Sequence, residues 1–386
     1  MDNLQYELVE ERTRFLELID HLGSFSRLGV DFEGEWNLHR YGLHLCLIQI
    51  SDGENIFLLD PTSVGDLAPF LELMEALEIE IVSHGPQSDI VLMDYLFGRT
   101  PRNVFDTEKA AQLLNYESSS LSNLLDRHFG ISKNMKVRVS DWNKRPLTEK
   151  MLNYAALDVA FLHQLRENME GELREVGRFQ WQLEECKALE DIRYRKKKHP
   201  HLEIQKANKL NRREAHVLKH IFAVRDQIAQ QLDKPAYYII PNAKLLELAQ
   251  DPPRNVRAWS NLKGVNPRLK RYANEFHAAI QTAQNTDPVE VRRGPAAEMY
   301  KGLSKNAYYR LVDKKTQLLG AIRDQIKEAY DIYPMILSMR NLKRVAYGEA
   351  TLADFRDWQR KILLDTAQDM ELDISILMEP ENPLVN

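Results

Sequence analysis

Cysteine is scarce in this chain: Cys46 and Cys186 are the two in 386 residues. Standing 140 positions apart, they exclude a disulfide framework and a four-thiolate zinc site. Long apolar runs are lacking as well, and no stretch approaches the roughly 18 residues that cross a bilayer. The opening MDNLQYELVEERTRF is acidic and polar, the opposite of a basic segment followed by an apolar one, so no secretory signal is expected. No Gly-x-x-x-x-Gly-Lys-[Ser/Thr] occurs, which argues against a helicase motor. These absences predict a cytoplasmic protein with no membrane partner. At about 100–200 residues per domain, the length predicts two or three domains.

The net charge of −5 hides an asymmetry. Residues 1–190 hold 18 Lys and Arg against 33 Asp and Glu, whereas 191–386 hold 34 against 24. An acidic half joined to a basic half predicts two different jobs, with the basic half a polyanion binder.

Segment 27–33 alternates Leu28, Val30 and Phe32 with Gly29, Asp31 and Glu33, the period of a half-buried strand. Strand patterns follow at 43–50 and 55–59, separated by Ser51-Asp52-Gly53-Glu54, a hairpin break. An antiparallel meander opening with 27–33 is expected. Helical spacing occupies 66–77, then strand patterns at 79–83 and 102–105 alternate with helices at 89–97, 107–115, 121–129 and 147–166. Strands first, then strands alternating with helices, predict a mixed α/β sheet covered by helices. Beyond about residue 167 the pattern is helical, broken by the charged connection Arg193–Lys198 and by prolines at 235, 241, 252, 253 and 267. Val224-Arg225-Asp226-Gln227-Ile228 recurs as Ile322-Arg323-Asp324-Gln325-Ile326. With one inserted residue Pro235 meets Pro334 and Asn242 meets Asn341, so duplication of a helical module is expected.

Asp31 and Glu33, at i and i+2 of a strand, project to one face. Asp89 follows strand 79–83 through a loop and falls in the first turn of the next helix, near a strand C-terminus where α/β proteins place sites. Tyr154 and Asp158 lie one helical turn apart, on one face. Four carboxylates without a thiolate suit hard cations such as Mg²⁺ or Mn²⁺. Such a set can hold two ions about 3.5–4 Å apart, the arrangement used for in-line phosphodiester displacement. Tyr154 would orient the attacking water.

Asp31-Phe32-Glu33, His84-Gly85 to Asp89, and Tyr154-Ala-Ala-Leu-Asp158 resemble the three exonuclease motifs of the DEDD superfamily. The tyrosine four residues before the last aspartate resembles the DEDDy branch. Phe105-Asp106-Thr107 and Trp142-x-x-Arg145-Pro146-Leu147 resemble ribonuclease D within it, although motif one there often reads Asp-Thr-Glu where Phe32 stands here. The Arg225-Asp226 helix with Pro235, Pro241 and the leucine-rich 243–249 resembles an HRDC domain, and the repeat at 323–341 a second, diverged copy. The resemblance implies a ribonuclease H-like exonuclease domain over 1–190, a basic linker over 191–204, an HRDC domain over 205–287, a linker over 288–299, an HRDC-like domain over 300–375 and a tail over 376–386. It implies a monomeric, two-metal (Mg²⁺ or Mn²⁺) 3′-5′ exoribonuclease that releases nucleoside 5′-monophosphates and trims the 3′ ends of tRNA precursors and small structured RNAs. It carries metal ligation over to Asp31, Glu33, Asp89 and Asp158, and water orientation to Tyr154. A DNA 3′-5′ exonuclease and a non-catalytic RNA-binding scaffold remain alternatives.

The stretch Lys133 to Arg145 is basic in an otherwise acidic half. Lys133, Lys136, Arg138, Lys144 and Arg145 are candidate phosphate contacts; Trp142 either stacks on a base or anchors the loop in the core. His84 is a further candidate for substrate contact, against a loop-structuring role. Arg225 and Arg323 are expected to pair with local aspartates, and some of Arg254, Arg257, Lys263, Arg268, Lys270 and Arg271 to line an RNA path.

Overall fold

The computed structural model describes residues 4–133, 135–263, 265, 267–288 and 303–378. Six strands form one mixed sheet: β1 (Glu7–Val9), β2 (Arg27–Trp36), β3 (Leu43–Ser51), β4 (Ile56–Leu59), β5 (Glu80–Ser83) and β6 (Val104–Asp106), in the order β1-β4-β3-β2-β5-β6. The β2-β3-β4 meander is antiparallel, as its alternation and the Asp-Gly break predict. β5 and β6 add in parallel beside β2, and β1 adds in parallel beside β4.

Helices cover both faces. On one lie α1 (Arg12–Leu22), α2 (Ala68–Glu75) and α3 (Gln87–Phe97), whose Phe15, Leu18, Phe70 and Ile90 bury Val30, Phe32 and Ile48. On the other lie α4 (Thr107–Leu113), α5 (Leu121–Phe129), α6 (Glu149–Ala160) and α7 (Leu162–Glu175), followed by α8 (Phe179–Lys187). The helix expected over 147–166 is therefore two helices, broken at Phe161, whose φ of −118° leaves the helical region. Phe32 packs edge-on to Phe70 at 6.1 Å, on the face away from α6. Its departure from the frequent motif is thus a matter of core packing, because its ring belongs to a different face from the two acids it separates.

Two helical groups follow. The first is α9 (Arg212–Gln231), α10 (Ala236–Ile239), α11 (Asn242–Gln250), α12 (Val256–Ser260) and α13 (Ala273–Asn285). Ile204, Ala207 and Leu210, from the 3₁₀ turns before α9, belong to its core. The second is α14 (Lys305–Ala329), α15 (Tyr333–Ile336), α16 (Met339–Ala346), α17 (Asp357–Asp369) and α18 (Ser375–Met378). Most of the expected linker 288–299 and of the tail 376–386 lies outside the described residues.

The two helical groups share a helix order and an arginine-to-carbonyl bond, in a register other than the expected one. Arg225 donates to the carbonyl of Ile240, and Arg323 to that of Leu337. Past the arginine helix, equivalent elements are 97 residues apart, α10 matching α15 and α11 matching α16. One residue is lost rather than inserted, so Pro235–Pro334 and Asn242–Asn341 are not counterparts. The arginines also take backbone carbonyls, with Asn242 as a second partner of Arg225 at 2.7 Å, where aspartates were expected. Asp226 instead accepts from Tyr41 Oη at 2.9 Å, and Arg40 pairs with Asp233 at 2.7 Å, which docks the first helical group on the loop between β2 and β3. The second group docks on α8: Trp358 stacks on Trp181 at 4.7 Å and donates its indole N–H to Glu185, while Arg178 pairs with Asp331.

Candidate active site

Three elements bring the motif side chains to one place. β2 carries Asp31 and Glu33 on the face covered by α6 and α7, because Gly29, two residues earlier, meets Leu162 on that side. A bulge between Glu33 and Gly34 breaks the β2–β3 ladder directly after the second acid. Asp89 stands in the first turn of α3, where the helix dipole favours a carboxylate. α6, capped by Thr148 on Met151 N–H, crosses β2, β3 and β4 and presents Tyr154 and Asp158 to them. Ala155 and Ala156, fully buried beside them, let its backbone come close.

The turn leading to Asp89 is held from below. Asp106, fully buried at the end of β6, accepts from Gly85 N–H at 2.8 Å, from Gln87 Nε2 at 3.2 Å and from Glu108 N–H at 2.8 Å, which also caps α4. Gly85 has a φ of +61°, and a Cβ there would stand 2.9 Å from Glu108 Oε2, so the turn favours glycine. Ser83 Oγ donates to Val30 O at 2.6 Å, tying the end of β5 to the strand of the first motif.

The carboxylates act on one another. Burial pushes the Asp31 carboxyl up to about 6 against the pull of Lys133 and of the Phe32 N–H. Burial and the Asp31 charge raise Glu33 well above the usual range; burial with Asp31 and Glu33 does the same to Asp89. Burial, Glu33 and Asp31 raise the Tyr154 phenol too, so it stays protonated at neutral pH. The compensating cation is Lys133, whose side chain is buried, whose ammonium bonds Asp158, and whose Nζ lies 3.7 Å from the centre of the Tyr154 ring. Burial lowers its own pKa to about 8. Mutual repulsion of this kind is relieved by a multivalent cation, and an all-oxygen donor set is what Mg²⁺ and Mn²⁺ prefer; the residues fit such an ion.

Among the described residues, the group of three His, Cys, Asp or Glu side chains whose ligand atoms lie within 4.8 Å of one another is Glu35, His39 and Asp141. The motif carboxylates do not form such a group; Lys133 stands among three of them, Asp31, Glu33 and Asp158. Glu35 is already satisfied by protein donors: the N–H groups of Leu38 and His39, and the Asn143 amide at 3.0 Å. It organises the loop after β2.

The basic stretch divides. Trp142 is 3 % exposed and packs 6.1 Å from the Tyr154 ring, so it anchors the loop in the core and offers no face to a base. Arg145 is likewise not a phosphate ligand here: its guanidinium is spent on the buried Asp60 and on the carbonyls of Cys46 and Trp142. Lys136 and Arg138 lie on the exposed 3₁₀ turn Met135–Val139, and Arg138 is near enough to the site to pull the Glu33 carboxyl down. Lys144 is exposed, 3.9 Å from Asp141. His84 Nδ1 lies 2.9 Å from Thr107 Oγ1, and burial with the Lys133 charge pushes the ring down to about 4, so it is neutral. On the first helical group Arg254, Arg257, Lys263 and Arg271 are exposed; the side chain of Arg268 lies outside the described residues. Lys133, read from the sequence as one cation of a basic run, instead pairs with Asp158 and the Tyr154 ring, and its sole signal was membership of that run.

Residues 6–174 match the 3′-5′ exonuclease family and residues 214–280 the HRDC domain. The chain is 32% identical to rat exosome complex component 10 over 296 residues, covering 72% of this chain and 32% of that protein. It is 27% identical to ribonuclease D of Desulfotalea psychrophila over 331 residues, covering 82% and 86%. Over 95% of this chain and 99% of the other, the fold matches the crystal structure of Escherichia coli RNase D, an exoribonuclease involved in structured RNA processing, with a TM-score of 0.72 and 20% identity. The chain thus spans about a third of its exosome relatives and most of its ribonuclease D relatives. Through residues 6–174 the chain is similar to the 3′-5′ exonuclease family, and through residues 214–280 to the HRDC domain.

Proposed function

We propose that this chain is a metal-dependent 3′-5′ exoribonuclease that trims the 3′ ends of tRNA precursors and small structured RNAs, releasing nucleoside 5′-monophosphates. The observation that carries the reading is the meeting of Asp31, Glu33, Asp89, Tyr154 and Asp158, from three elements, within an exonuclease-family domain. The four carboxylates would hold two divalent ions, which supply Lewis-acid activation of water and stabilise the leaving 3′-oxygen. Tyr154, kept as a neutral phenol by burial and by Glu33 and Asp31, orients the water through its hydroxyl and does not serve as the base. Lys133 holds Asp158 and offsets the acidic charge that would otherwise repel an RNA phosphate. Arg138, Lys136 and Lys144 border the approach, where exposed cations contact phosphate.

The HRDC domain would grip RNA through the exposed cations of 254–271. The group 303–378 is read as a second, HRDC-like module, supported by its matching helix order and its arginine-to-carbonyl bond. In domain terms, 1–190 form the catalytic unit and 205–287 and 300–375 the two helical units of a cytoplasmic monomer.

A time course on 3′-labelled and 5′-labelled RNA and DNA oligonucleotides, with Mg²⁺ or Mn²⁺ and then EDTA, beside Asp31→Ala, tests this. Immediate release of labelled mononucleotide from RNA 3′ ends, lost in EDTA and in the variant, is expected. Faster DNA turnover would make the enzyme a DNA exonuclease; RNA binding without cleavage would make it a scaffold.

A further inference from the structure

Gln49 is the one buried amide on the floor of the site for which, among the described residues, neither end has a partner. Its side chain is 0 % exposed, and both Nε2 and Oε1 lack a hydrogen bond. Buried amides are nearly always satisfied, since an unpaired one gives up its water without return. An exception beside a functional site calls for an explanation.

Its position supplies one. Gln49 lies in β3 directly opposite Asp31 of β2. Opposed residues of an antiparallel pair point to the same face, with Cβ atoms about 4.5–5.5 Å apart. That face is the one covered by α6 and α7, since the next opposed pair on the same face, Gly29 and Ser51, meets Leu162. The remaining neighbours along the sheet are apolar: Leu58 is opposite Gln49 on β4, and Leu47 precedes it by two residues on its own strand. Ser51 Oγ already accepts from Gly53 N–H at 3.2 Å. Asp31 itself has the backbone N–H of Phe32 as its bonded donor. An unpaired donor and a carboxylate short of donors therefore face each other across one strand pair.

We propose that Gln49 is a positioning residue for Asp31: its side-chain N–H₂ takes the Asp31 carboxylate when a divalent cation binds, fixing one carboxylate oxygen so that the other faces the ion. This rests on Asp31 being a metal ligand. Ligating carboxylates are commonly oriented by such outer hydrogen bonds, whose removal costs 10–100-fold in metal affinity. Gln49 touches neither substrate nor cation and acts through Asp31 alone.

The experiment is a Mn²⁺ titration of the full chain by electron paramagnetic resonance, with thermal unfolding in EDTA alongside, for wild type, Gln49→Met, Gln49→Asn and Asp31→Asn. Methionine keeps the length and volume and removes both polar ends. Gln49→Met is expected to weaken the tightest Mn²⁺ site about tenfold while its metal-free Tm stays the same or rises, because an unpaired amide has been exchanged for an apolar group. Gln49→Asn, with its amide drawn back by one methylene, should fall in the same direction and serves if the methionine variant does not fold. Wild-type Mn²⁺ affinity in both Gln49 variants would overturn the proposal, as would a lowered metal-free Tm with unchanged affinity, the mark of a packing role. Wild-type affinity in Asp31→Asn would instead overturn Asp31 as a ligand, so the two failures are distinguishable.

Discussion

The ammonium of Lys133 lies 3.7 Å from the centre of the Tyr154 ring while it bonds the carboxylate one turn further along the same helix. One buried cation thus compensates a cluster of acids and clamps the phenol between them. Lys133→Met should leave that cluster uncompensated. Breaking a buried pair costs about 3–5 kcal/mol, less whatever Asp31, Glu33 and Asp89 recover by taking up protons. The expected result is a lower Tm in EDTA and a larger rise on adding Mg²⁺ than in wild type. Thermal unfolding with and without Mg²⁺ at pH 8 measures both; an equal Mg²⁺ response in the two proteins would show that the lysine compensates nothing.

The same acids set a pH dependence for the metal-free protein. Burial raises Asp31 from an ordinary 3.8 to about 6, so between those values the native state holds a proton that the unfolded chain has released. The stability this group contributes is full below about pH 4 and is lost as pH rises through about 6. His84 acts oppositely, because it is pushed down to about 4 and stays neutral in the fold where the unfolded ring is charged. The two are separated by reading the Tm difference between wild type and Asp31→Asn in EDTA. That difference should move against wild type from pH 4 to pH 7 and reverse in Mg²⁺, which favours the ionised carboxylate. A flat difference would mean that the fold does not desolvate Asp31.

Arg145 and Lys144 are neighbours in sequence with opposite expected phenotypes. Arg145 is 27 % exposed and bonds the buried Asp60, whereas Lys144 is 78 % exposed and stands 3.9 Å from Asp141. Arg145→Met strands a buried carboxylate and should cost about 3 kcal/mol or more. Lys144→Met loses a surface pair and should change stability by less than about 0.5 kcal/mol, with any effect appearing in RNA affinity at low salt. Hydrogen-exchange protection of residues 43–60 in both variants, with filter binding of a short RNA, checks the contrast. Equal stabilities would remove Arg145 from the core.

Much of the catalytic fold was legible because its signals are local. The meander follows from period-two alternation around an Asp-Gly break; the shared faces of Asp31 with Glu33 and of Tyr154 with Asp158 follow from spacing within single elements, and Asp89 joins them by its place after a strand and by the resemblance. What was not legible depends on distant partners. β1 is three residues long and is a strand by pairing with β4 fifty residues away. Lys133 stands 25 residues before Asp158 in a segment without periodicity, so no pattern marks it out from Lys136 or Lys144. Gln49 sits within the apolar run LCLIQI, where strand register alone brings it opposite Asp31. The repeat misled at its second half because proline and asparagine recur at helix starts for local reasons, so matching them fixed the wrong offset.

That offset leads to a last contrast, between the two arginines the repeat makes equivalent. Arg225 is buried, donates to Ile240 O at 3.0 Å and to Asn242 Oδ1 at 2.7 Å, and is pushed down to about 10 by burial. Arg323 is half-buried and donates to Leu337 O at 3.1 Å while lying over the Tyr333 ring. Each closes its helix onto the turn before the next one, but the buried Arg225 satisfies two acceptors, the buried Ile240 carbonyl and the exposed Asn242 side chain, whereas the half-buried Arg323 satisfies one, the Leu337 carbonyl. Hydrogen bonds from a charged donor contribute about 1.5–3 kcal/mol, and buried acceptors left unpaired add their desolvation. Arg225→Met should therefore loosen α10 and α11 by roughly 3 kcal/mol, and Arg323→Met should loosen α15 and α16 by less than half of that. With several domains in one chain a single unfolding free energy is not defined, so the measurement is local: hydrogen-exchange protection of residues 236–250 and 333–346 in each variant. Loss of protection confined to the mutated module, larger for Arg225, is the expected outcome. Equal losses would mean that the second copy depends on its arginine as fully as the first.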